Sequence, residues 1–330
     1  MLINHALSSE TLATVKAYLL NIHGLPIIHS QSYVCGLPPG HRFQMGKFRG
    51  VYNSLVKDKV IEPRKQVMEP SQISKELAAV IHTKEYVDRF FRGETTAEEQ
   101  RRTGFKWSHG LCSRVRFECG GTLLSSLVSL ERGLAASTGG GTHHAGPDYG
   151  SGYCLLNDLS ITSSVLLALG LVKKVLIVDL DVHQGDGTAL MFQNNPSVFT
   201  FSMHCQSNFP FRKQSSDLDV GLANHVGDEE YLAALKEVLP SLLDSVRPDL
   251  VLYDAGVDPH IDDDLGKLDL TDAGLYARDE YVLRTCVRRG IPVTCVIGGG
   301  YHRDLQVISD RHSIIHRVAT KVYKSEVGNI

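Results

Sequence analysis

Along the chain, the spacing of apolar residues changes character near Gly121. Beyond it, short apolar or β-branched runs alternate with longer amphipathic ones. Val175-Leu-Ile-Val178, Val198-Phe-Thr-Phe201, Leu250-Val-Leu-Tyr253 and Pro292-Val-Thr-Cys-Val-Ile297 are continuous, as expected of strands buried on both faces of a parallel sheet. Between them Asn157 to Leu171, Glu229 to Ser245 and Thr271 to Arg289 read as helices, the last with Thr271 as its cap. The alternation predicts an α/β fold, a single-domain three-layer α/β/α arrangement with a mainly parallel central sheet.

Before Gly121 the pattern is mostly helical. Ser71 to Ile81 and Lys84 to Phe91 have helical spacing, with Gly93 as a stop. Phe105 to Cys119 mixes aromatic, basic and glycine residues without a period and reads as a loop. The opening stretch, MLINHALSSETLATVKAYLLNIHG, has Lys16 inside its apolar part and no basic start. It reads as an added helix rather than a secretory signal. With no repeat or linker-like tract, the expected organisation is an N-terminal helical extension over 1–24 and one catalytic domain over 25–330.

Charge narrows the function classes. The 34 Lys plus Arg and 37 Asp plus Glu leave a net −3, which argues against a coat for nucleic acid or anionic membrane. The basic cluster Arg101, Arg102, Lys106, Arg114 and Arg116 reads as a solvated loop face, not a nucleic-acid site. Apolar stretches fall short of the roughly 18 residues of a membrane span. Seven scattered cysteines without a CxxC pair fit a reducing intracellular setting, cytoplasmic or nuclear with an organelle left open, better than a disulfide scaffold. GxSxG, GxxxxGK[ST], HExxH and complete GxGxxG motifs are missing.

The predicted strands end in polar clusters: Asp179-Leu-Asp181-Val-His183-Gln-Gly-Asp186, Asp254-Ala-Gly-Val-Asp258 and Gly298-Gly-Gly-Tyr301. Ligands bind beyond the carboxyl ends of such strands. Asp181 and His183, two apart, share one side of an extended chain, and Asp258 can complete a set of two carboxylates and an imidazole that suits zinc and leaves a position open for substrate. His143-His144 follows Gly139-Gly-Gly-Thr142. Asp179 and Asp186 are candidates to orient these imidazoles, giving a general base and acid. Tyr301 is a candidate donor to an oxyanion. Singly, each has a plainer reading: a cap, a satisfied core histidine, a packing tyrosine.

His143-His144-Ala145, Asp179-Leu-Asp181-Val-His183-Gln184-Gly-Asp186-Gly, Ala255-Gly-Val-Asp258 and Gly298-Gly-Gly-Tyr301 together resemble the signature of zinc-dependent histone deacetylases of the arginase/deacetylase fold. The resemblance runs from about Leu25 to about His316. Gln184 and Leu37-Pro-Pro-Gly-His-Arg-Phe43 make it most similar to class IV enzymes and prokaryotic relatives. It implies one catalytic Zn2+ on Asp181, His183 and Asp258, with His143 backed by Asp179, His144 backed by Asp186, and Tyr301 polarising the amide carbonyl. It also implies a structural K+ on Asp179, Ser202 and the backbone carbonyls of Asp181, His183 and Met203. Gly152, Tyr153 and Phe209 match the tunnel for a lysine stem. Tyr153 departs from the more common Phe, and Leu265 stands where polyamine-selective relatives carry an acid.

The expected activity is therefore zinc-dependent removal of acetyl or longer acyl groups from lysine side chains of proteins, histones among them. Alternatives are a small-molecule amide deacetylase, a dimanganese ureohydrolase, and a non-catalytic acyl-lysine-binding module.

Overall fold

The computed structural model describes residues 15–17 and 19–328. Its strands are β1 (Ile27–Ile28), β2 (Val67–Met68), β3 (Leu134–Ser137), β4 (Val175–Asp179), β5 (Val198–Cys205), β6 (Leu218–Leu222), β7 (Leu250–Asp254) and β8 (Val293–Val296). They form one sheet in the order β2-β1-β3-β8-β7-β4-β5-β6, every pairing parallel. Parallel neighbours require crossover connections, which the helices supply. These are α1 (Lys47–Lys57), α2 (Pro63–Gln66), α3 (Lys75–Ala78), α4 (Lys84–Arg92), α5 (Ala97–Thr103), α6 (His109–Arg132), α7 (Asp158–Ala168), α8 (Asp186–Phe192), α9 (Asp228–Val246), α10 (Asp272–Val287) and α11 (Leu305–Val322).

Helices α6, α7 and α8 pack together as one layer, and α1, α9, α10 and α11 as the other. The expected three-layer α/β fold is the one observed. The four apolar runs are all strands, and β4 and β7 are buried at every position, because helices remove both faces from water. The Thr271 hydroxyl accepts from the Gly274 amide at 3.1 Å, capping α10 as expected.

Two local expectations are corrected. Phe105 to Cys119 is not a loop: α6 begins at His109, capped by Ser108, whose hydroxyl accepts from the Leu111 amide. This helix has no apolar stripe because it is covered almost all round. Its buried Ser126 and Ser129 hydroxyls donate to the Thr122 and Ser125 carbonyls at 2.9 and 2.8 Å, so these small polar residues are accommodated with their hydroxyls paired. Gly120 and Gly121 let its backbone approach the Ser71 carbonyl and the Tyr33 hydroxyl, where a Cβ would collide. Within Ser71 to Ile81 only Lys75–Ala78 is helical.

The reading of Arg114 as solvated is also corrected. It is buried, pairs with Glu118 at 2.6 Å and lies over the Phe48 ring. Most of the expected N-terminal helix lies outside the described residues. Of the remainder, Val15–Ala17 are helical, while Leu19 and Ile22 bury against Ile28, Met68, Val128 and Ala135. No helix among the described residues is long and apolar enough to cross a membrane.

Candidate active site

The central strands β3, β8, β7 and β4 are neighbours, so the segments leaving their carboxyl ends converge. Asp181 and His183 leave β4, Asp258 leaves β7, and the Gly298 to Tyr301 turn leaves β8. His183 Nδ1 lies 3.0 Å from Asp181 Oδ1 and 3.1 Å from Asp258 Oδ2. All three side chains are buried, and their donor atoms cluster within the 4.8 Å span of a metal site. Burial opposes protonation of His183, but its bonds to both carboxylates outweigh that and raise it to about 10. Burial, then the Asp181 charge, pushes Asp258 up to about 7. Two carboxylates and an imidazole converging in a buried pocket are the electrostatics of a cation site.

Backbone amides hold the outer oxygens of this set. The Gly299 amide donates to Asp181 Oδ2 at 2.7 Å and the Val182 amide to Asp258 Oδ1 at 2.8 Å. Position 299 must be glycine, because a Cβ there would fill the space between the Asp181 and Asp258 oxygens.

His143 and His144 follow β3. His143 Nδ1 meets Asp179 Oδ2 at 2.7 Å, and His144 Nδ1 meets Asp186 Oδ1 at 2.6 Å. Their Nε2 atoms face each other at 3.2 Å. Burial opposes protonation of His143, yet Asp179 and Asp181 raise its pKa well above the ordinary value. Burial and the neighbouring His143 lower His144 to about 4. With both Nδ1 atoms turned to carboxylates, the raised affinity of His143 and the lowered affinity of His144 favour the proton on His143 and a neutral His144.

Several supports went unread in the sequence. Asp158, buried at the start of α7, accepts from the Gly141 amide at 3.0 Å, the Thr142 amide at 2.7 Å and the Thr122 hydroxyl at 2.5 Å. Asn157 Nδ2 donates to the His143 and Ala145 carbonyls at 3.3 and 3.2 Å. Together they fix the loop carrying the two histidines. Asp263 accepts from the amides of Tyr301, Leu265 and Gly266 at 2.7, 2.8 and 2.9 Å, coupling the oxyanion candidate to the tunnel wall. Buried Lys47 donates from Nζ to the Gly300 carbonyl at 3.3 Å. No local pattern distinguishes these residues from caps and turn formers. Asp254, register partner of Asp179, is wholly buried with neither carboxylate oxygen hydrogen-bonded; burial and Asp179 push its carboxyl well above the usual range.

The expected tunnel residues Gly152, Tyr153, Phe209 and Leu265 line one cavity of about 420 Å³ that reaches His144, His183 and Tyr301. Tyr153 has φ 65, an uncommon conformation outside glycine. Its amide is held by the Thr103 carbonyl at 3.1 Å, and that of Gly152 by Arg102 at 3.3 Å. Phe209 meets His144 edge to face, with centroids 4.9 Å apart. Tyr301 is buried, and burial together with Asp258 raises its hydroxyl well above the ordinary value, keeping it a proton donor. Among the residues implied to hold potassium, Asp179 and Ser202 are direct register partners across β4 and β5.

Comparison with known proteins shows the family. Residues 41–315 match the family model described as the histone deacetylase domain. The chain is 50% identical over 300 residues to an uncharacterised protein of a Picosynechococcus strain, covering 91% of this chain and all 100% of that one. It is 30% identical over 319 residues to histone deacetylase 2 of Arabidopsis thaliana, covering 92% and 82% of the two chains. It is 29% identical over 289 residues to the acetoin utilization protein AcuC of Staphylococcus aureus, covering 79% and 73%. Among solved structures, the HDA15 HD domain superposes with a TM-score of 0.75 at 24% identity, covering 90% and 88%.

Proposed function

This chain belongs to the histone deacetylase family, and from that premise we propose that it is a zinc-dependent hydrolase removing acetyl or longer acyl groups from lysine side chains. The observation that carries the reading is the convergence of a metal-capable Asp181, His183 and Asp258 set with a carboxylate-backed histidine pair, beside a partly aromatic cavity that His144, His183 and Tyr301 line. A zinc ion held by those three side chains would supply a Lewis acid for the substrate carbonyl and acidify a water.

The chain's own groups do the rest. Tyr153, Phe209 and Leu265 bind the apolar lysine stem and exclude water. His144, neutral and oriented by Asp186, takes the proton of the attacking water at Nε2. The Tyr301 hydroxyl donates to the carbonyl oxygen as it gains charge. His143, the imidazolium stabilised by Asp179, delivers a proton to the leaving lysine amine, without which the amide bond reforms. The potassium ion implied by the resemblance would be held by Asp179, Ser202 and the carbonyls of Asp181, His183 and Met203. Gln184, which donates to the Gln214 carbonyl and Asp219 at 2.8 Å each, supports the class IV likeness by its place after His183. Seven free cysteines, six of them buried, support a reducing intracellular compartment.

Product release from lysine peptides bearing acetyl through myristoyl groups, with zinc-loaded and chelator-treated protein, tests this reading. Zinc-dependent turnover is expected, with the preferred acyl length reporting how far the tunnel extends. Absence of turnover with zinc bound would move the assignment to a small-molecule amide, the reading that likeness to AcuC keeps in play.

A further inference from the structure

The basic pair Arg101 and Arg102 closes α5 and lies at the mouth of the substrate cavity. The carbonyls of this helix end hold the amides of Gly152 and Tyr153, so the two guanidinium groups are mounted on the tunnel wall itself. Lys267 lines the same mouth, with Nζ on the Ser207 carbonyl at 3.2 Å. Among the described residues no Asp or Glu lines this cavity. Of the three cations only Arg102 has a carboxylate partner among the described residues, Glu98 at 4.0 Å. Phe211, 90% exposed, adds an apolar surface at the same mouth. The nearby Asp264 is exposed, its amide tied to the Tyr301 carbonyl, but it does not line the cavity. The molecule as a whole carries −3, so the mouth is a local reversal of its charge.

A substrate lysine enters with its neighbours on either side of the acyl group, and those neighbours meet the mouth before the chemistry begins. We propose that Arg101, Arg102 and Lys267 select acyl-lysines carried in acidic sequence, through carboxylates flanking the modified residue. This rests on the acyl-lysine reading above and narrows it. Basic segments, such as lysine-rich tails, bring like charge to the mouth and are disfavoured. Each exposed pair contributes little alone, but three cations around one opening act together and steer encounter.

The test uses full-length, zinc-loaded protein and acyl-lysine peptides of one length flanked by Asp, Ala or Lys. Initial rates give kcat/KM, and fluorescence anisotropy with the Tyr301→Phe variant gives binding without turnover. Acidic flanks are expected to exceed basic ones by roughly five- to twentyfold at low ionic strength. The gap should close at about 0.5 M salt, where screening shortens charge interactions to a few ångströms. Arg101→Glu and Lys267→Glu should shrink or invert it, whereas Lys236→Glu, the same charge change on α9, should leave the ratio unmoved. Equal rates, or preference for basic flanks, would overturn the proposal while leaving deacylation standing. An acidic preference in binding without hydrolysis would uphold the mouth and sink the hydrolase reading. No binding of any peptide would overturn both.

Discussion

His143 and His144 are adjacent in the chain, and their imidazoles meet Nε2 to Nε2 at 3.2 Å while their Nδ1 atoms turn to different carboxylates, Asp179 and Asp186. Two residues of one type thereby acquire opposite proton affinities, His143 raised and His144 lowered to about 4. The neutral form of His144 is present above that value. Asp186 raises its affinity, so Asp186→Asn lowers it further. The acid limb of the kcat/KM profile should move to lower pH, with the plateau reduced by roughly 10–100-fold. Asp179→Asn should move the alkaline limb to lower pH, because the His143 imidazolium is then lost sooner as pH rises. Unmoved limbs in both variants would remove the two histidines from acid/base roles.

Tyr301→Phe deletes one hydroxyl beside the cation set and leaves its ring in contact with Tyr153, whose centroid is 5.7 Å away. A drop in kcat of roughly 10²–10³-fold is expected, with zinc content and thermal midpoint retained. Wild-type kcat in this variant would exclude the hydroxyl from oxyanion stabilisation.

Metal content offers a check independent of turnover. Asp258→Ala removes a donor, and Gly299→Ala puts a methyl group between the Asp181 and Asp258 oxygens. Both should fall from one zinc per chain to a small fraction by elemental analysis after gel filtration. Full retention in Asp258→Ala would place the metal elsewhere.

The Arg114–Glu118 pair is buried, with Glu118 also accepting from the Gly140 amide at 3.4 Å. Glu118→Gln leaves a buried guanidinium without its counter-charge and should cost about 3–5 kcal/mol in urea unfolding. A double variant, Arg114→Met with Glu118→Leu, should recover much of that loss. Equal losses in both would show that shape rather than charge sets the cost.

What the chain's own order determined was the frame and the chemistry. The uninterrupted runs at Val175, Val198, Leu250 and Val293 could be read as buried strands because each is an unbroken stretch of apolar or β-branched residues, a property local to each run. Asp181, His183, Asp258, His143, His144 and Tyr301 could be named because each follows such a run or a glycine turn. Tertiary structure decided what depends on partners distant in sequence. Helix α6 is hidden from a periodicity reading, since a helix covered on nearly all sides needs no stripe, and its Ser126 and Ser129 hydroxyls are satisfied by its own carbonyls. Strands β1 and β2 are two residues each, too short to show any period. His143 is pushed up by Asp179, 36 residues away, whereas His144 is pushed down by burial and by His143 against the pull of Asp186, 42 residues away. Arg101 and Arg114 belong to one basic cluster in the sequence, yet one stands at the cavity mouth and the other is buried beside Glu118. Charge alone cannot separate them; the surface left free once the helices have packed does.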